Sequence, residues 1–339
     1  MNGHFENIAV RGIKVVIPET VIENASFADK LGERRCKKQI KLTGVKTRHV
    51  SKNQQTTTDL AYEAGRLLLD SVKWDPEEVS VLVFATQNPL FVLPSTAFLL
   101  QKKLGISKNA VVFDVNLGCS GAPVGMQIVS SLLQQKGNHG KGLLLVADAV
   151  YAPNEIERDN ADALAEQMLF GSAGSAVAME VVEKTEPLFF ESCSDGSRYD
   201  AIIRRRGGGF EMKGESVFEF GVNDVASGLI DFRKKFQLKE YDIDFYSFHQ
   251  AQALMLSTID SVCDIPEEKE IRSLEEYGNT NGSSVLVNLC ANREKFKDKE
   301  QLHALICGFG VGLSWSYVYT TLPVDVILPI SFSDAHYEE

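Results

Sequence analysis

The chain has 339 residues, 44% hydrophobic and 24% charged, an ordinary globular composition with enough apolar content for a sizeable core. Its 35 basic and 46 acidic residues leave a formal charge of −11, which argues against nucleic acid as a partner and against a polybasic membrane patch. No apolar run reaches the about 18 to 20 residues of a membrane span, and the opening MNGHFENIAVRG has neither the basic start nor the apolar stretch of a secretory signal.

In chain order, residue 59 (Asp) is placed to cap a helix with an apolar stripe of Leu60, Ala64, Leu67 and Leu68. The run 81–85 (VLVFA) reads as a strand buried on both faces, as do 111–115 (VVFDV) and 143–147 (LLLVA). Pro94 and Ser95 open a helix carrying Phe98, Leu99 and Leu100, and 121–134 is a third helix with Val124, Ile128, Leu132 and Leu133 on one side. Strands spaced by helices predict βαβ units and a largely parallel sheet. The second half repeats this alternation, with a strand over 242–248, a helix with Ala251, Leu254, Met255 and Val262, a helix over 283–290, and strands over 304–309 and 315–322.

Length predicts two domains or two fused halves. The polar stretch 182–187 (VEKTEP) is the join, giving halves of 1–182 and 183–339, and 170–174 (FGSAG) is weakly echoed by 309–312 (FGVG). The least periodic stretch, 194–209, ends in Arg204, Arg205, Arg206 and three glycines and reads as a surface loop. The six cysteines, at 36, 119, 193, 263, 290 and 307, show no C-x-x-C spacing, as expected of reduced thiols in a cytoplasm. The six histidines (4, 49, 139, 249, 303 and 336) form no coherent metal motif.

Four segments carry chemistry-bearing residues. In VVFDVNLGCSGAPVG, Cys119 follows a buried strand and a tight turn and precedes a helix. Free N–H groups and the positive helix end favour a thiolate there, and Gly118, Ser120 and Gly121 leave room for a substrate. The alternative is an inert core cysteine. His249 ends an apolar strand, where groups of α/β folds gather, although a structural histidine fits equally. The run YGNTNGSS around Asn279 is a turn-rich helix start or simply a capped loop. Finally, CGFGVGLSW permits close backbone approach but does not match a dinucleotide fingerprint.

Taken in order, Cys119, His249 in HQA, Asn279 in GNT and the GFGVGLSW element resemble the ketoacyl-acyl-carrier-protein synthase III group of the thiolase superfamily. Further likeness lies in Thr43-Gly44-Val45, Leu93-Pro94-Ser95, Phe170-Gly171-Ser172-Ala173-Gly174 and the run from Met212 to Phe218. The resemblance implies a five-layered αβαβα fold of two similar halves with mixed, mostly parallel sheets, usually homodimeric. It implies an acyltransferase in which Cys119 takes an acyl group from a coenzyme A or carrier-protein thioester. The N–H groups of Cys119 and Val311 would form the oxyanion hole, and His249 and Asn279 would stabilise the enolate of a decarboxylating malonyl-type thioester. No metal and no covalently bound cofactor is implied.

The chain departs from that pattern around the donor. Lys38 and Leu42 stand where housekeeping members carry the tryptophan and arginine that grip coenzyme A, leaving Lys37, Lys38 and Lys41 to meet phosphates as point charges. A further arginine position falls at Leu164, with Arg158 nearby. Leu254 replaces a carrier-docking arginine on a helix followed by Asp260, Asp264, Glu267 and Glu268, so Arg204 to Arg206 is the remaining basic patch for an acidic carrier. These departures predict a specialised fatty-acid or secondary-metabolite enzyme. A non-condensing acyltransferase making an ester or amide, or a non-catalytic partner subunit, are the alternatives.

Overall fold

Among the described residues, sixteen strands follow in chain order: β1 (Asn2–Phe5), β2 (Ile8–Ile17), β3 (Val21–Glu23), β4 (Thr47–His49), β5 (Val79–Ala85), β6 (Val111–Val115), β7 (Lys141–Asp148), β8 (Ala173–Val181), β9 (Leu188–Ser194), β10 (Ile202–Arg204), β11 (Phe210–Met212), β12 (Phe245–Phe248), β13 (Glu270–Ile271), β14 (Gln301–Gly310), β15 (Ser314–Pro323) and β16 (Ser331–Phe332). They are seen in a computed structural model of the chain, which describes residues 1–52, 54–135, 140–151, 164, 166–205 and 209–338. His139, Arg158, Arg206, Gly207 and Gly208 lie outside the described residues.

Two six-stranded sheets carry the architecture, ordered β16-β2-β8-β7-β5-β6 and β1-β9-β15-β14-β12-β13. From the second strand onward the two orders correspond pair by pair. β2–β8–β7 and β9–β15–β14 are antiparallel steps, and β7–β5–β6 and β14–β12–β13 are parallel ones. The outermost strands are exchanged: N-terminal β1 joins the second sheet and C-terminal β16 the first. The glycine-rich stretches that echo each other lead into the corresponding strands, 170–174 ending inside β8 and 309–312 ending just before β15. Counting the outer strands, parallel and antiparallel neighbours are equal in number, five pairs of each, so the sheets are mixed rather than mostly parallel.

Strand alternation builds five layers, αβαβα. In β5, Leu82 and Phe84 pack outward with the helices Thr57–Val72 and Ala97–Leu104. Val81, Val83 and Ala85 point the other way, onto the central helices Gly121–Leu133 and Ser284–Ala291. In β14, Ala304 and Ile306 share that central layer, while Leu305, Cys307 and Phe309 face the outer helices Ala226–Lys235 and Ala253–Val262. Among the described residues no helix is long and apolar enough to cross a membrane.

Local details differ from the sequence reading for physical reasons. The first long helix starts at Thr57, not after Asp59. Thr56 is the N-cap and Asp59 its capping-box partner, accepting from the Thr56 N–H at 2.7 Å while Thr56 Oγ1 accepts from the Asp59 N–H at 3.2 Å. β6 is not buried on both faces, because it is an edge strand and Val111 is exposed. In the central helix Gly121–Leu133, Ala122, Met126, Val129 and Leu133 are the fully buried side, and Val124, Ile128 and Leu132 are half-buried. Leu254 and Val262 point to solvent from a helix whose core side is Met255, Leu256 and Ile259. Part of the expected loop over 194–209 is the antiparallel ribbon β10–β11.

One cap spans the first half. The Asp114 carboxylate, on β6, accepts the N–H groups of Thr96 (2.6 Å) and Ala97 (2.7 Å) at the start of the helix Ala97–Leu104. Asp114→Ala is expected to lower the free energy of unfolding by about 1–2 kcal/mol in urea titrations. Asp114→Asn, which keeps one acceptor oxygen, should recover part of that loss, and an unchanged midpoint in both would mean that the cap contributes nothing.

Candidate functional site

Cys119 sits four residues after β6, on the turn closed by the Gly121 N–H to Gly118 carbonyl hydrogen bond (2.8 Å), just before the central helix Gly121–Leu133. The C-terminal end of β14 runs directly over this elbow. A Cβ on Gly308 would stand 2.8 Å from the Cys119 carbonyl oxygen, and one on Gly310 would stand 3.0 Å from the Cys119 sulfur. Glycine at both positions is what lets the second sheet reach the thiol. The approach brings the Val311 N–H to the sulfur, where it joins the N–H of Cys119 itself.

His249 follows β12. Its N–H donates to the Cys307 carbonyl (2.8 Å), its Nδ1 is 2.7 Å from Ser284 Oγ, and its ring meets Phe309 edge-on at 5.4 Å. Asn279 is threaded through the FGSAG element: its N–H donates to the Leu169 carbonyl (2.9 Å) and its carbonyl accepts from the Gly171 N–H (3.0 Å). A Cβ on Gly171 would fall 2.2 Å from the Tyr277 carbonyl oxygen, so only glycine fits there. Asn279 Oδ1 accepts from the Asn281 N–H (2.9 Å), which leaves the side-chain NH₂ as the group available to a ligand. Cys119, His249, Asn279 and Val311 all line one cavity of about 1000 Å³, whose other walls are largely apolar, among them Leu169, Phe220, Met255 and Phe309.

Burial sets the charge states. The helix end and the two N–H groups do favour a Cys119 thiolate, but desolvation outweighs them and the nearby Asp148 carboxylate adds to it, so the thiol is pushed up to about 12. The thiolate expected from the elbow alone is therefore not the resting state. Burial also pushes His249 down to about 3, against a hydrogen bond to the Asn281 main chain, so its ring is neutral at ordinary pH.

Sequence reasoning missed several residues. Asp148, at the end of β7, is buried and pushed up to about 7 by desolvation. It accepts from the Gln87 N–H (2.9 Å), from Thr86 Oγ1 (3.2 Å) and from the N–H groups of Asn88 and Gly282. Gln87 packs on Gly118 beside Cys119. Of the donor-side positions, Leu42 lies at the cavity wall and Lys38 is exposed on the helix Glu33–Thr43. Leu164 is buried with Phe27, Cys36 and Met168 and does not line the cavity. Ile202, Phe210 and Met212 of the β10–β11 ribbon cover the cavity, and Arg204 stacks over Phe210, 3.8 Å from Glu166.

Because the thiol is raised, the rate of Cys119 alkylation by iodoacetamide is expected to climb about tenfold per pH unit from pH 7 to beyond pH 10, without a plateau near 8 or 9. Removing a negative charge favours the thiolate, so Asp148→Asn should raise that rate above pH 7, where the Asp148 carboxyl is ionised, and change it little below. Mass-spectrometric rates across pH would show a plateau below pH 9 if the sulfur were more solvated than this.

The match with known proteins is broad. Residues 234–321 match the family described as 3-Oxoacyl-[acyl-carrier-protein (ACP)] synthase III C terminal. The chain is 30% identical over 315 residues to a beta-ketoacyl-[acyl-carrier-protein] synthase III from Staphylococcus epidermidis, covering 92% of this chain and 98% of that one. Against the enzyme of the same name from Aliarcobacter butzleri, it is 28% identical over 325 residues, covering 91% and 95%. The crystal structure of a 3-oxoacyl-(acyl-carrier protein) synthase from Burkholderia xenovorans superposes with a TM-score of 0.91 at 25% identity, covering 98% of this chain and 99% of that chain. With a glycine-lined thiol, a neutral imidazole and a free carboxamide around one cavity, and likeness along nearly the whole length, the chain belongs to the β-ketoacyl-acyl-carrier-protein synthase III family of the thiolase superfamily, the condensing acyltransferases that work on thioesters.

Proposed function

We propose that Cys119 is the nucleophile, that the N–H groups of Cys119 and Val311 hold the oxyanion, and that His249 and Asn279 hold the enolate. The reading is supported above all by the convergence of these four residues, drawn from both sheets, on one cavity wall. In the first half-reaction the sulfur attacks the thioester carbonyl and gives up its proton to the departing thiol. The negative oxygen of the tetrahedral intermediate is met by the two N–H groups, and collapse leaves an acyl-cysteine. In the second, a malonyl-type thioester loses CO₂, and the electron pair of the broken C–C bond becomes an enolate. Its oxygen takes hydrogen bonds from the His249 ring and the Asn279 NH₂. The carbanion then attacks the acyl-cysteine carbonyl, the C–S bond breaks, the sulfur leaves as a thiolate and takes a proton from solvent, and a β-ketoacyl thioester departs. A neutral imidazole suits this role, since it donates without carrying a charge into the apolar cavity.

The donor is an anionic thioester, coenzyme A or a carrier protein, held by charge rather than by stacking. The helix Glu33–Thr43 exposes Arg34, Arg35, Lys37, Lys38 and Lys41 beside Leu42 and Gln39 of the cavity wall, in a chain whose net charge is −11. Among the described residues only Lys37 of these is paired, with Glu33 at 2.8 Å. This arrangement, with Leu254 half in solvent where a docking arginine was expected, favours a specialised pathway over fatty-acid initiation. The working form is a homodimer. The edge strand β6 is open, and Val92 and Leu93, in the segment before the helix Ala97–Leu104, are 86% and 88% exposed, apolar area that a second copy would cover. All six cysteines are free thiols, in keeping with a cytoplasmic site of action.

Asn279→Ala is expected to cut CO₂ release from a malonyl thioester by at least about a hundredfold, from loss of an enolate donor, while mass spectrometry still finds an acyl adduct on Cys119. Unchanged CO₂ release would defeat the condensing role of Asn279. The double change Arg34→Glu, Lys38→Glu should raise KM for a coenzyme A or carrier-bound donor on the order of tenfold at low salt and much less at high salt. A thioester of N-acetylcysteamine, which has no phosphate, should be indifferent to it.

A further inference from the structure

Val311 has glycine on both sides, and neither Gly310 nor Gly312 has a side chain to limit the backbone. The ladder pair Gly310–Ser314 holds the peptide on its N–H side, and the carbonyl side needs a partner of its own. The far side of the turn is pinned by paired main-chain bonds, with the Leu313 N–H donating to the Asp195 carbonyl (3.1 Å) and the Asp195 N–H to the Leu313 carbonyl (2.8 Å). On the near side, Ser314 Oγ donates to the Val311 carbonyl at 2.7 Å. Ser314 Oγ also lies 2.7 Å from Ser120 Oγ, and both serines are buried. A hydroxyl has one hydrogen, and that of Ser314 is spent on Val311, so Ser120 must be the donor to Ser314. Ser120 is the neighbour of Cys119. A directed relay, Ser120 Oγ–H to Ser314 Oγ–H to the Val311 carbonyl, therefore links the segment carrying one oxyanion donor to the turn carrying the other, and it crosses from the first half to the second.

We infer that Ser120 and Ser314 are positioning residues that set the spacing of the oxyanion hole. This rests on the assignment of the Cys119 and Val311 N–H groups as its donors. Neither hydroxyl touches the reacting carbonyl. Their work is to hold the glycine-flanked Val311 at the distance the tetrahedral oxygen needs, and a misplacement near 1 Å costs on the order of a hundredfold in rate.

Acylation passes through an oxyanion and alkylation by iodoacetamide does not, so the two reactions of one sulfur separate positioning from general disturbance. Single-turnover acylation of Cys119 from acetyl-N-acetylcysteamine, followed by mass spectrometry, should fall roughly 10- to 100-fold in Ser314→Ala, while alkylation at the same pH stays within about twofold. Ser314→Thr, which keeps the hydroxyl, should restore acylation. Ser120→Ala should show the same split, and the double variant should be no worse than Ser314→Ala alone, because one hydroxyl acts through the other. Acylation at the wild-type rate in Ser314→Ala overturns the inference. So does a parallel fall of acylation and alkylation, which would mark a collapsed pocket. A wild-type chain that alkylates but never acylates would overturn the parent assignment and this one with it.

Discussion

The chemistry proposed for this chain depends on how closely the glycine-rich end of β14 can lie on the Cys119 elbow. Side chains at 308 and 310 would meet backbone and sulfur at 2.8 to 3.0 Å, so the second sheet reaches the thiol only because those positions carry none. That approach brings three things at once: a second main-chain N–H at the sulfur, exclusion of water, and a wall shared with His249 through Phe309. A donor fixed in a dry site is worth far more than one in water. Gly118 and Gly282 serve the same closeness on the other side, where a Cβ on Gly282 would stand 2.9 Å from the Gly118 carbonyl oxygen.

Dryness has a cost, visible in the titrating groups. The thiol rests protonated and the imidazole rests neutral, each held there by burial. A sulfur with a high proton affinity is a poor nucleophile at rest but a reluctant leaving group from its acyl form, which, on the role proposed for Cys119, would favour an acyl-cysteine that waits for its second substrate. Asp148 sharpens this balance. It ties the Thr86–Asn88 loop to the Gly282 turn and places a titratable carboxyl beside the sulfur.

Much of the fold was legible in the sequence because strands buried on both faces are continuous apolar runs, as in 81–85 and 143–147. Cys119 and His249 stood out because each follows an apolar strand run, where α/β folds expose their groups. Asn279 was visible only through family likeness, since GNT followed by serines is otherwise a capped loop. Asp148, Ser120, Ser284 and Ser314 left no local signal. Their partners are 62 residues away for Thr86, 194 for the serine pair and 35 for His249, and one sequence holds no trace of such distances. Asp59 was misplaced by three residues because a capping box puts a good capping residue at both ends of its motif. The β10–β11 ribbon was missed because three-residue strands carry no measurable period.

The two halves share a plan but not a task, and the division follows from what each helix start faces. The corresponding central helices begin back to back, at Gly121 and Ser284, with Gly118 and Gly282 in contact between them. Two positive helix ends thus converge on a small dry region, and each needs an electron-rich neighbour. The first half offers the Cys119 sulfur to its own helix end. The N–H of Gly282, leading into the second helix, instead donates to the Asp148 carboxyl, which also belongs to the first half. With both helix starts answered from the first half, the second is left to contribute neutral donors: the Val311 N–H, the His249 ring and the Asn279 carboxamide. On the proposed roles, an anionic sulfur, tetrahedral oxygen or enolate would form among neutral donors, the Cys119 N–H included, with the Asp148 carboxyl beyond the sulfur. Under the proposed roles, negative charge on the reacting atoms would be met between the Cys119 and Val311 N–H groups and opposed toward Asp148, so a substrate carbonyl would gain most by turning its oxygen to the β14–β15 turn, where Ser314 Oγ bonds the Val311 carbonyl.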